Sequence, residues 1–179
     1  MEFILGPLTP FELTGLLLRD FFIANNNSTL VTAYLALEPD AQKPTLAMEY
    51  DFNALFLGPQ ALKAAPYASV YLEEEATVMG KTTLELREFM QQLGLSINNE
   101  NHLPDDHVSY ALELCVLLLI NVRQQPELKE MLFRYVFEYV AKWMPLFVLN
   151  ITGNAQTMEL KKVASRLAGW LDELKMRAA

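Results

Sequence analysis

Apolar residues recur along this chain with the period of an α-helix, and no segment of useful length alternates with period two. Thr9-Pro10-Phe11-Glu12 predicts the first helix: Thr9 caps, Pro10 fits the first turn and Glu12 completes a capping box. Phe11, Leu13, Leu16, Leu17, Phe21 and Phe22 supply its apolar face. Ser28 is expected to cap a second helix through Leu37, stopped by Pro39, and Pro44 to start a third that runs into Phe56. Thr82 and Glu85 predict a capping box ahead of Leu86, Phe89, Met90 and Leu93, with Gly94 closing that helix. A helix carrying Val108, Ala111, Leu112, Cys115, Leu118 and Leu119 follows, with either Asp105 or Asp106 as its N-cap. Pro126 begins another, expected to kink or end at Pro145. The last, about 155–176, carries Leu160, Val163, Leu167, Trp170, Leu171 and Leu174 on one face. The pattern predicts a single all-α helical-bundle domain of about seven helices, with no repeat.

The stretch 51–71 is unlike the rest. Phe52, Leu55 and Phe56 share a helical face, Gly58 suits a helix C-terminus through positive φ, and Pro59 cannot continue the helix. Pro66 turns the chain out again. The result is a bent, largely apolar connector carrying Tyr67, Ser69 and Tyr71. Either it packs beneath the domain or it lines a groove.

Composition narrows the function. The 22 acidic against 14 basic residues give a net charge of −8, which argues against a nucleic-acid partner and agrees with a basic peptide one. Hydrophobic residues make up 52% of the chain, so it can bury a substantial core. The apolar run around Cys115 is too short to span a bilayer, for which about 20 residues are needed. The first ten residues lack the basic start of a signal peptide, so a cytoplasmic location is expected. Glu73-Glu74-Glu75 reads as a solvated charge run, with a binding role as the alternative.

Catalytic chemistry finds little support. The one cysteine, Cys115, sits inside an apolar run and reads as a core thiol. His102 and His107 are the two histidines, and no Cys/His spacing supplies a zinc site. A metal-dependent enzyme using His102, Asp105, Asp106 and His107 is the lesser alternative. No phosphate-cradling glycine loop or catalytic triad is present. No cofactor is expected, and recognition by an adaptable apolar groove remains the candidate activity.

Leu55-Phe56-x-Gly58-Pro59, followed by Pro66-Tyr67-x-Ser69-Val70-Tyr71, resembles the signature of the TorD/DmsD chaperones. Pro104-Asp105-Asp106-His107 resembles that family's hinge motif, and the likeness is close over residues 50–120. The resemblance implies an N-terminal half 1–95, a hinge at 96–107 and a C-terminal half 108–179. It implies a cytoplasmic chaperone that binds the twin-arginine signal peptide of a molybdoenzyme precursor and withholds it from export until cofactor insertion. Carried over by residue, Phe52, Leu55, Phe56, Gly58 and Pro59 match the first motif. Pro66, Tyr67, Ser69, Val70 and Tyr71 match its continuation, and Asp105, Asp106 and His107 belong to the hinge. Asp105 and Asp106 are the expected acceptors of arginine. Cousins serve a mature client such as nitrate reductase or a metal-dependent hydrolase, some bind guanine nucleotide, and some form helix-exchanged dimers beside monomers.

Overall fold

A computed structural model describes residues 3, 6–74, 80–98 and 102–179. In chain order the helices are α1 (Pro10–Phe22), α2 (Asn27–Leu37), α3 (Leu46–Phe52), the single turn α4 (Ser69–Leu72), α5 (Lys81–Gln92), α6 (Val108–Val122), α7 (Lys129–Arg134), α8 (Ala141–Asn154) and α9 (Met158–Ala178). A π-helical turn, Asn53–Leu57, extends α3. Another, Tyr135–Val140, joins α7 to α8, making one long rod. Among the described residues there is no strand, only an isolated bridge between Tyr67 and His107. The fold is all-helical, as the periodicity predicts.

The first helix starts as the sequence predicts. Thr9 Oγ1 accepts the Glu12 N–H at 3.2 Å, and the Glu12 carboxylate accepts the Thr9 N–H at 2.8 Å. Arg123, at the end of α6, closes onto Glu12 and also donates to the Pro7 carbonyl. Leu13 departs from the expected face and is exposed, while Phe11, Gly15, Leu18, Phe21 and Phe22 turn inward. Gly15 explains the choice. A Cβ there would stand 2.6 Å from the Trp170 ring and 2.7 Å from Val116, so the missing side chain lets α1 close on α9 and α6.

Several predicted helix ends move. Asn26, not Ser28, caps α2 by accepting the Thr29 N–H at 2.9 Å. Thr45 caps α3, one residue after Pro44. Thr82 does not open a capping box with Glu85. Gly80 precedes α5, and the Glu73 carboxylate accepts the Thr82 N–H at 2.8 Å from outside the helix. Gly94, with φ +71°, closes α5 as expected.

Pro145 neither ends nor breaks its helix. It sits inside α8, downstream of a π turn in which the Ala141 N–H already reaches five residues back to Val136. The wider hydrogen-bond spacing re-registers the backbone one turn ahead of the proline. Phe147, Trp143 and Val148 bury the rod on both sides of it, and that packing outweighs the local preference.

At the centre, Phe21, Phe22, Phe52, Phe56 and Phe147 form one aromatic cluster with ring centroids 5.0–5.8 Å apart, mostly edge to face. Such pairs add about 0.5–1.5 kcal/mol beyond area burial. None of the described helices is long and apolar enough to cross a membrane.

Candidate functional site

The connector that follows α3 divides in two. Its first half is core: Phe52, Leu55 and Phe56 are fully buried. The expectation that they line a peptide groove is corrected here, because their side chains are already packed against α1 and α8. The π turn ends at Gly58, whose N–H donates to the Asn53 carbonyl at 2.9 Å and whose φ is +84°. That conformation is reserved in practice for glycine. Pro59 follows across a cis peptide bond and is exposed. On the outer side of the same turn Leu46, Tyr50 and Leu57 face solvent, so this helix is apolar on both faces.

The second half returns to the hinge motif and is stitched to it. The Val108 N–H donates to the Pro66 carbonyl at 2.8 Å, and the Ala68 N–H to the Asp106 carbonyl at 3.1 Å. The Ser69 N–H, at the start of α4, donates to Asp106 Oδ2 at 2.9 Å. The two motifs thus form one seam. Pro66 and Ser69 are buried in it, whereas Tyr67 and Tyr71 are half-exposed. Tyr67 meets the edge of His107 with centroids 5.4 Å apart, and Tyr71 donates its hydroxyl to the Ala65 carbonyl at 2.9 Å.

Neither aspartate caps α6, which corrects the predicted helix start. His107 takes that role, its Nδ1 accepting the Ser109 N–H at 3.2 Å. Burial holds this imidazole down to about 3, well below its ordinary 6.5, so it is neutral and keeps the acceptor lone pair that a cap requires. Asp106 is 1% exposed and turned back onto α4; Asp105 forms an ion pair with Arg87 of α5. Both carboxylates that the sequence offered to an arginine-bearing partner are therefore engaged within the chain. His102 is exposed, away from this arrangement in burial, and no group of metal-ligating side chains occurs among the described residues. Cys115 is fully enclosed in α6, and burial pushes its thiol far above the usual range, which removes nucleophilic character.

Sequence reasoning missed Asp51. Although it lies in α3, its Oδ2 accepts the Gln156 and Thr157 N–H groups at 2.9 and 2.8 Å and the Thr157 hydroxyl at 2.7 Å. It secures the start of α9 from a helix distant in sequence but adjacent in space, a contact that no local pattern announces.

The family model described as nitrate reductase delta subunit matches residues 24–149. The Tat proofreading chaperone DmsD of Salmonella typhimurium (strain LT2) is 32% identical over 124 residues, covering 69% of this chain and 60% of that protein. The chaperone protein TorD of Aliivibrio salmonicida is 27% identical over 133 residues, covering 70% and 60% respectively. The chain thus spans about 60% of the length of these curated relatives. In fold it is similar to a crystal structure described as a redox enzyme maturation protein from Archaeoglobus fulgidus. That likeness has a TM-score of 0.58 and 19% identity, and covers 96% of this chain and 99% of the other.

Proposed function

This chain belongs to the TorD/DmsD family of chaperones, and from that premise we propose that it is a cytoplasmic maturation chaperone for a molybdoenzyme. In this reading it binds the twin-arginine signal peptide of a dimethyl-sulfoxide or trimethylamine-N-oxide reductase-type precursor. It holds that peptide until the cofactor is inserted, and performs no catalysis of its own.

One observation carries the reading. The two signature segments are distant in sequence yet hydrogen-bonded into one seam, which leaves Tyr67 and Tyr71 half-exposed beside the aromatic core. A seam of that kind offers a firm apolar platform for an extended peptide, and firm platforms cost little ordering free energy on binding. The chain's net charge of −8 favours a basic partner at long range.

Calorimetry against twin-arginine leaders of molybdoenzymes from the same genome tests it, with arginine-to-lysine peptides as controls. One leader binding tightly, and its lysine version less so, is the expected result. Absence of binding to every leader by folded protein overturns the reading. A second reading, assembly of a mature nitrate reductase-type client, draws on the description of the matching family model. Equal binding to leaderless client would favour it.

A further inference from the structure

Asp106 is held by one oxygen only. Its Oδ2 accepts the Ser69 N–H at 2.9 Å, while its Oδ1 is enclosed and has no hydrogen-bond partner within the chain. The residue is 1% exposed, so bulk solvent does not reach that oxygen. A buried carboxylate oxygen left in this condition carries the full cost of its desolvation.

Other unmatched polar atoms lie around it. The Ser69 hydroxyl, on the residue that holds Oδ2, is enclosed and unpartnered. So are the hydroxyls of Tyr135 and Tyr139 on the π-helical part of the rod, and Nε1 of Trp143 beyond it. Ring contacts tie these groups together. Tyr135 stacks on Tyr139 at 5.3 Å, Tyr139 meets Trp143 at 6.4 Å, and Trp143 meets Tyr71 of α4 at 6.0 Å. Ser69 opens the same α4 turn, so the path of contacts returns to Asp106. Electrostatics agrees with that path. Burial raises the Tyr139 phenol well above its ordinary range, and the charges of Asp106 and then Cys115 raise it further. Burial likewise raises Tyr135, with Tyr139 and Cys115 adding to the effect.

The chemistry of these atoms selects what can join them. A protonated phenol offers one donor and spare acceptor capacity, whereas a carboxylate oxygen only accepts. An anion is repelled by Asp106. A metal ion lacks ligands, since no group of metal-ligating side chains occurs among the described residues. What fits is a small neutral molecule that both donates and accepts, with two to four polar partners, and water meets that description. Polar groups enclosed together but too far apart to bond directly are the usual setting for a bridging water.

We propose that an internal water bridges the Tyr139 hydroxyl to Asp106 Oδ1, accepting from the phenol and donating to the carboxylate. The Ser69 and Tyr135 hydroxyls are its further partners. The bridge fastens the hinge motif to the rod from inside the fold, and it is independent of what the protein binds.

Oxygen-17 magnetic relaxation dispersion, which counts long-lived internal waters, tests it on the full chain and on a Tyr139→Phe variant. Phenylalanine keeps the ring and its stacking and removes only the hydroxyl. The dispersion amplitude should fall by about one water in the variant, and the unfolding constant in urea should rise about tenfold. An unchanged amplitude overturns the bridge, whichever way stability moves. Lost stability alone would mean that the phenol reaches Asp106 directly, and gained stability that its hydroxyl had no partner. The wild-type chain supplies a second readout that needs no variant. Water should give a cross-relaxation peak with the Tyr139 ring protons beside the hydroxyl, of the sign that marks a long-lived contact. Its absence overturns the proposal even where Tyr139→Phe does not fold.

Discussion

The motif seam and the surface between α5 and the rod are joined through Trp143, yet they are built on opposite terms. In the seam, backbone N–H groups of residues 68, 69 and 108 all find partners, and Asp106, His107 and Ser69 lie below the surface. On the surface between α5 and the rod, Glu85 and Glu138 stand in solvent, each in an exposed ion pair with a lysine or arginine one turn away, Lys81 and Arg134. Motif residues that mark the family here act mainly as the frame. A strongly patterned residue can therefore be essential for holding a surface without touching what the surface binds.

The sharpest way to break this contrast is Phe56→Ala. As a fully buried member of the phenylalanine cluster, it should cost about 3–5 kcal/mol in urea unfolding. A loss below about 1 kcal/mol would return Phe56 to the list of surface candidates. Asp106→Ala comes next. It strands the buried Ser69 N–H and should cost about 1–3 kcal/mol, while Asp40→Ala, at an exposed position, serves as a neutral comparison.

His107 sharpens the contrast by pH. Its folded value of about 3 lies below the ordinary 6.5, so between those values the unfolded chain binds the extra proton. Stability from this group is complete above about 6.5 and declines as pH falls, by about 1.4 kcal/mol per unit. Relative to His107→Asn, the wild-type chain should lose about 2 kcal/mol between pH 6.5 and 5. Equal slopes for the two proteins would mean that the imidazole titrates normally. The smallest stability effect belongs to Glu85→Gln/Glu138→Gln, within about 0.5 kcal/mol of wild type by the same unfolding assay. A larger loss there would make that surface part of the frame as well.

Helix positions were legible because the 3.6-residue period is written locally, and so were the Thr9–Glu12 box, the Gly58 turn and the Gly94 stop. The apolar character of Phe52, Leu55 and Phe56 was equally plain, but whether they faced a ligand or the core was not. Periodicity says which residues share a face; the identity of the neighbour depends on how α1 and α8 come to lie against it. The same limit explains the caps. Asn26 serves its own helix from an adjacent position, whereas Asp51 serves α9, Asp106 serves α4 and Glu73 serves α5 across gaps that sequence spacing does not measure. Pro145 shows the limit from another side, since a local rule for breaking helices gave way to a π turn and buried packing around it.

What this sequence determines by itself is the all-helical class, the apolar faces and the bend at Gly58, because each follows from interactions within a turn or two of chain. Tertiary structure alone decides that the hinge aspartates are spent internally. It also decides that Asp51 secures α9 and Glu73 secures α5, because hydrogen bonds and charges are allotted only when distant helices meet.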